Sequence, residues 1–410
     1  MTSLEQDFGV TSNVKRKSVR LSWNNRHSRA PTEIKRLSIL GFYSMNSEYK
    51  FCDDISQLRY LTLPHDPSVF FDLKMNSERI IRKILTTNEL KLDSIFRWVI
   101  SHGQEHMHLD KRSPDFVTFR GVLSMIMSTP YEKFEGWIVC ATKFKGTIYL
   151  CRYDTPQKIK NEESRTTREK DMCDWGYKFE QFLLSEQPGG TPDVETPNNQ
   201  NEEFSCVFQA TIGPYNLVYA AEMDGVNLRN GGPKFAGFGD DSKRLKEMLN
   251  DGKAEFVELK TSADASTNNR EWQKIRRFKS RKWWAQCQLV GIDKLICGYR
   301  DEEGIVRKLD EFSVRKLPQL GRGFWDSNVC MEYLVNFLKL VVEQVSSGYD
   351  EQLWMFTWNP KESNCIQVEL CDRNSPYSFL HEWVINGLKS NKRKNEESVD
   401  DSAGCSSKKT

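Results

Sequence analysis

The apolar positions of this chain follow two rhythms. Short continuous or alternating runs fill its middle and predict strands, while a few stretches with three- and four-residue spacing predict helices. Residues 34–60 hold brief apolar patches that read as edge strands or irregular cover. Ile80, Ile81, Ile84, Leu90, Leu92, Ile95 and Trp98 have helical spacing, which predicts two helices within 77–102 that break near 86–88. Phe116-Val117-Thr118-Phe119-Arg120-Gly121 reads as a strand running into an apolar helix through Met127. Residues 136–142 and 147–152 flank Lys145-Gly146, the pattern of an antiparallel hairpin.

A polar connection over 154–168 leads into a helix carrying Trp175 to Leu184, with Tyr177 and Leu184 on its buried face. Residues 186–203 are rich in Pro, Gly and Asn and read as loop. Strands over 204–211 and 217–224 meet at Gly213-Pro214. A surface excursion over 227–255, with one helical patch near 245–249, separates them from a strand over 256–262. The longest helix is predicted over 271–290. A strand pair over 295–300 and 304–309, a helix over 329–345, strands over 353–358 and 365–370, and a closing segment over 376–388 complete the chain.

Composition narrows the class. At 410 residues and 38% hydrophobic content the chain can bury a large core, as two domains or as one large mixed domain. A formal charge of +2 leaves any nucleic-acid footprint to local patches. The 11 cysteines include no C-x-x-C pair, which disfavours a zinc site or disulfide scaffold and fits a reducing compartment. With no apolar run of the roughly 18 residues a bilayer span needs, a soluble intracellular protein without a membrane partner is expected. Residues 1–35 and 389–410 are expected to be disordered tails. Their triplets Lys15-Arg16-Lys17 and Lys392-Arg393-Lys394 are compatible with nuclear import signals and with plain solvated tails.

Charge inside apolar strands marks the candidate chemistry. Glu258 and Lys260 lie two apart in Phe256-Val257-Glu258-Leu259-Lys260-Thr261-Ser262 and share one strand face. Glu222 and Asp224 repeat the spacing in the earlier strand. E-x-D followed by E-x-K is weak alone, but charged pairs in apolar strands are costly without a purpose. Clustered carboxylates also repel one another unless a cation neutralises them, which Mg2+ or Mn2+ would do while holding water and phosphate oxygens. Glu180, one turn from Tyr177 and Leu184, is either at the solvated edge of the core or aimed into this site. Arg120 is either a satisfied structural arginine or a guanidinium clamp for phosphate. Lys274, Arg276, Arg277, Lys279, Arg281 and Lys282, with Trp283 and Trp284 beside them, read as a solvated face or as a surface for tracking and stacking on nucleic acid. His102, His106 and His108 read as an exposed loop, not a metal site. No Walker loop, G-x-S-x-G or dinucleotide fingerprint is present.

These segments, in this order, resemble the decapping exoribonuclease (DXO) family, which includes fungal partners of a nuclear 5′-3′ exoribonuclease. The likeness rests on Phe119-Arg120-Gly121 with Thr129-Pro130-Tyr131-Glu132, and on Gly136-Trp137 with Thr142-Lys143-Phe144-Lys145-Gly146-Thr147. It continues through Gly176-Tyr177-Lys178-Phe179-Glu180, Glu222-Met223-Asp224, Val257-Glu258-Leu259-Lys260-Thr261-Ser262 and Lys282-Trp283-Trp284-Ala285-Gln286. The resemblance implies an α/β fold of two mixed β-sheets flanked by helices. It also implies a single catalytic domain over 36–388 with a metal-dependent nuclease pocket.

By motif match Glu222, Asp224 and Glu258 would hold Mg2+ or Mn2+ with help from Glu180. Lys260 and Gln286 would act at the scissile phosphate, and Arg120 at the substrate 5′ end. The implied substrates are RNA 5′ ends that are triphosphorylated, incompletely capped or NAD-capped, removed in RNA quality control, with 5′-3′ degradation following in some members. A nuclear location is implied, with a cytoplasmic pool left open. The second reading is a non-catalytic RNA-binding scaffold that stabilises a partner 5′-3′ exoribonuclease. Retention of all the acidic positions favours the enzyme.

Overall fold

The computed structural model describes residues 17–21, 33–103, 113–229, 240–265, 269–345, 352–362 and 364–390. Most of both expected tails, together with His106 and His108, lies outside them. The strand-forming runs assemble into a ten-stranded and a seven-stranded sheet. In spatial order the first holds Lys17–Val19, Ile366–Cys371, Leu353–Trp358, Trp137–Phe144, Thr147–Tyr153, Phe116–Phe119, Tyr215–Glu222, Glu203–Ile212, Ile34–Met45 and Phe51–Cys52. The second holds Ser68–Asp72, Ile305–Ser313, Lys294–Arg300, Ala254–Ala263, Gly225–Leu228, Tyr60–Leu61 and Leu184–Ser185. Both are mixed. Tyr215–Glu222 runs parallel to Phe116–Phe119, and Ala254–Ala263 runs parallel to Lys294–Arg300, among mostly antiparallel pairs.

Eight elements position the candidate site and are numbered in chain order: strands β1 (Glu203–Ile212), β2 (Tyr215–Glu222), β3 (Gly225–Leu228), β4 (Ala254–Ala263) and β5 (Lys294–Arg300), and helices α1 (Arg120–Ser128), α2 (Thr167–Leu183) and α3 (Ser280–Val290). The largest core cluster joins both sheets to α1, α3 and the helix Ser327–Val345, through residues such as Ile126, Phe208, Tyr219, Leu295, Leu289 and Phe337. The helix Asp93–His102 covers the far face of the ten-stranded sheet with Ile95, Phe96, Trp98 and Val99. Helix α2 covers the seven-stranded sheet with Trp175, Phe179 and Leu183. It starts at a capping box in which Thr166 accepts from the Glu169 N–H and the Glu169 carboxylate accepts from Thr166 N–H, at 2.8 Å.

Long-range packing overrode local pattern in several places. The first helix expected within 77–102 is absent: Ser77–Arg79 is a single 3-10 turn, and the chain then runs extended, with a bridge from Ile81 to Asn199. Residues 86–88 start the short helix Thr87–Leu90, because Thr86 and Glu89 form a capping box there. Ile81 and Ile84 remain exposed, so their helical spacing buries nothing. Lys17–Val19, inside the expected tail, pairs along Ile366–Cys371 at the sheet edge. The long helix expected over 271–290 is continuous but includes a π-helical turn at Ile275–Lys279. Leu184 leaves α2 to pair with Leu61, and Tyr177 is only half-buried; Trp175 and Phe179 fill the buried face instead.

Candidate active site

The two sheets are joined where β2 ends. Its last residue is Glu222; the chain passes through Met223-Asp224 and enters β3, which pairs with β4 so that Gly225 faces Val257. This four-residue strand escaped the sequence reading, because so short a run between glycines and charges carries no period. The crossing carries Glu222 and Asp224 to the strand that bears Glu258. Asp224 Oδ2 accepts the Leu259 N–H at 2.6 Å, which fixes that carboxylate beside Glu258.

Glu258 is the centre of the constellation. Its side chain is 1% exposed; Oε1 lies 2.5 Å from Lys260 Nζ, and Oε2 accepts from an Arg120 terminal nitrogen at 3.3 Å. Strand alternation puts Lys260 on the same face, as the spacing predicted. Arg120 is the first residue of α1, which follows directly on the strand Phe116–Phe119. Glu180 comes from α2. A Cβ at Gly298 of β5 would collide with the Phe179 ring, so the bare backbone there lets α2 approach and brings Glu180 beside the acidic group.

Electrostatics bind these groups into one site. Burial, then the charge of Asp224, holds the Glu180 carboxyl well above the ordinary carboxylate range, with Lys260 opposing. Burial, then the charge of Glu258, pushes Asp224 up to about 7. Glu258 moves the other way: burial would raise it, but Lys260 and then Arg120 outweigh burial and leave it low. Lys260 is held protonated by Glu258 and Asp224 against its own desolvation.

Two cavities meet at this cluster. One, of about 570 Å³, is lined by Arg120, Glu222, Gln286, Glu203, Tyr49 and Lys83 among others. The other, of about 190 Å³, is lined by Glu180, Glu222, Asp224 and Glu203 among others. Gln286 reaches the larger one from α3. Glu203 and Lys83 were missed by sequence reasoning. Glu203 opens β1 and pairs with Lys83, while burial and then Glu222 push it up to about 7. Glu203 stood at the end of the stretch read as loop, one residue before the predicted strand, and Lys83 sits in the segment misread as helix.

Glu180, Glu222, Asp224 and Glu258 supply the oxygen donors that a hard divalent cation takes, and their mutual repulsion is what such a cation would relieve. The donor set therefore fits Mg2+ or Mn2+. Among the described residues no three acidic, histidine or cysteine side chains already form a coordination shell. In this structure Glu258 is occupied by Lys260 and Arg120.

The expected stacking surface on the basic helix is not formed by its tryptophans. Trp283 and Trp284 are each 5% exposed, packed on Phe312 and Trp325. Arg281 is 1% exposed and donates to Glu132 at 3.2 Å. Adjacent residues of one helix point to different sides, and both sides here are covered. Among the described residues no helix is long and apolar enough to cross a membrane.

Comparison with known proteins bears on the family and the fold. The sequence profile of the family described as RAI1 like PD-(D/E)XK nuclease matches residues 35–385. Glu258-Leu259-Lys260 spells the (D/E)XK part of that description. The decapping and exoribonuclease protein of Rattus norvegicus is 29% identical over 365 residues, covering 86% of this chain and 85% of the relative. The structure of Candida albicans Rai1 in complex with pU5 and Mn2+ shares the fold with a TM-score of 0.73 at 20% identity, over 92% of this chain and all of that one. That of Scheffersomyces stipitis Rai1 with (3′-NADP)+ and calcium gives 0.72 at 17% identity, over 93% of this chain and 100% of its counterpart. Two mixed sheets joined at an acidic crossing, and a family match spanning nearly the whole described domain, show that the chain belongs to the RAI1-like PD-(D/E)XK nucleases, the decapping nuclease family, and is an RNA hydrolase.

Proposed function

We propose that this nuclease is a divalent-metal-dependent hydrolase of RNA 5′ ends. Its substrates are triphosphorylated, incompletely capped or NAD-capped RNAs, with 5′-3′ degradation as the same chemistry repeated on the new end. The observation that carries the reading is the junction of Glu180, Glu222, Asp224 and Glu258 with Lys260 and Arg120, beside cavities that Gln286 and Glu222 line. The pU5 and Mn2+ bound to Candida albicans Rai1, and the dinucleotide and calcium bound to its Scheffersomyces stipitis counterpart, support it.

Glu222, Asp224 and Glu258, with Glu180, are the side chains that would hold Mg2+ or Mn2+, which supplies charge neutralisation and a more acidic water. Lys260, kept charged by Glu258, is set to neutralise charge building on the phosphate. Gln286 offers an amide to orient the attacking water. Arg120 presents its guanidinium to 5′-phosphate oxygens. Hydrolysis breaks one P–O bond and adds water across it, and the ion pairs of Glu258 with Lys260 and Arg120 hold those cations in place for that step. The basic triplets in the tails support action in the nucleus.

Purified protein incubated with 5′-triphosphate RNA and Mn2+ is expected to release an end product that both Glu258→Ala and Asp224→Ala abolish. Activity surviving in both variants would remove the assigned site. A silent wild type would return the scaffold reading.

A further inference from the structure

The cations of residues 274–282 divide into two sets. Lys274 pairs with Glu271 at 2.5 Å, Arg281 bonds Glu132, and Lys282 lies 3.8 Å from Glu132. Lys279, Arg276 and Arg277 have no carboxylate partner among the described residues. Lys279 Nζ donates to Ser262 Oγ at 2.9 Å and approaches Thr261 O at 3.4 Å. Arg276 Nε donates to Leu320 O at 3.1 Å, and its guanidinium lies 5.2 Å from the Phe324 ring centre. Arg277 is exposed and stacks over Phe324 and Phe278, at 5.2 and 5.5 Å. Phe278 in turn meets the exposed Phe134 edge to face. A half-buried ammonium with only neutral partners is costly unless an anion completes it.

Its position gives that anion an identity. Ser262 lies on the same face of β4 as Glu258 and Lys260, so the Lys279 ammonium stands about 7 Å along the strand from the Lys260 position. Arg276 and Arg277, three and two residues before Lys279, converge on the Phe324 ring. All three belong to the π-helical turn, a distortion that recurs at functional sites.

We propose that Lys279, Arg276 and Arg277 form a lane for the phosphates of the RNA that follows the cleaved 5′ end, with Phe278 and Phe324 offering rings to its bases. This rests on the reading of the site as one that takes RNA 5′ ends. The lane differs from the stacking surface expected from the sequence, because its rings are half-buried phenylalanines and its cations are those left without carboxylates.

The test is fluorescence anisotropy in chelator, where nothing is cleaved, with 5′-monophosphate RNAs of two and eight nucleotides. Wild type is expected to bind the longer RNA more tightly. Lys279→Met is expected to cut that length advantage about tenfold, the size of one charge-assisted hydrogen bond, and to flatten the salt slope by about 0.7. Lys279→Arg should keep most of it. Arg277→Ala, at an exposed position where folding is not at stake, should cost about threefold. An unchanged length advantage and slope in Lys279→Met and Arg277→Ala would overturn the lane, as would equal losses in Lys279→Met and Lys279→Arg, which mark a packing role. If wild type cleaves RNA while the length advantage is unaffected, the lane alone fails. If wild type does not cleave, the site reading fails and the binding measurement still reports on the lane.

Discussion

Glu258→Gln should separate what the central carboxylate does for the fold from what it does for chemistry. The change keeps size and removes charge, leaving Lys260 and Arg120, 24% and 11% exposed, without the carboxylate that faces both. Breaking a buried pair by removing one partner costs about 3–5 kcal/mol. Asp224 also faces these cations and takes up part of the loss, so about 3 kcal/mol is expected. Unfolding entropy near 2.1 cal/mol/K per residue gives about 0.9 kcal/mol/K for 410 residues, so Tm should fall by about 3–4 °C. The control is Glu222→Gln, whose carboxylate is exposed; such changes stay within about 0.5 kcal/mol, under about 1 °C. Calorimetry in chelator measures both variants without contributions from bound cation, and a triphosphate-RNA assay with Mn2+ measures activity. Loss of hydrolysis in Glu258→Gln, weakened hydrolysis at limiting Mn2+ in Glu222→Gln, and a lowered Tm only in Glu258→Gln make the expected pattern. A Glu258→Gln protein melting within 1 °C of wild type would refute the ion-pair argument.

Chelation of divalent cations should abolish hydrolysis of 5′-triphosphate RNA and Mn2+ should restore it; Glu222→Gln should raise the Mn2+ concentration for half-maximal rate, and an unchanged titration would remove Glu222 from the donor set. Gly298→Ala forces a methyl against the Phe179 ring, so a stability loss of about 1–3 kcal/mol by urea denaturation is expected, together with lower activity as Glu180 is displaced. Glu132→Ala strands the buried Arg281, and a loss of about 3 kcal/mol in the same denaturation series is expected; a cost under about 1 kcal/mol would show that the Tyr131 ring suffices.

The acidic pair on β2 and its crossing, the Glu258-Lys260 pair on β4, and the strand-then-helix entry at Arg120 were legible in the chain. Charge in an apolar strand is a local signal, and strand alternation fixes which residues share a face. The hairpin at Lys145-Gly146 and the longer strands from Phe116 onward were legible for the same reason: their periods survive burial. Tertiary structure alone decided what each face meets. Ile80, Ile81 and Ile84 have helical spacing, yet the segment is drawn out to bridge Asn199 and bring Lys83 to Glu203. Trp283 and Trp284 look like a platform beside a basic run, but core packing covers both, and the same packing gives Arg281 an acid while leaving Lys279 without one. Whether a charge is a structural pair, a donor for a cation or a contact for substrate depends on partners far away in sequence. No local period encodes them, because they exist only once the two sheets and α3 have closed on one another.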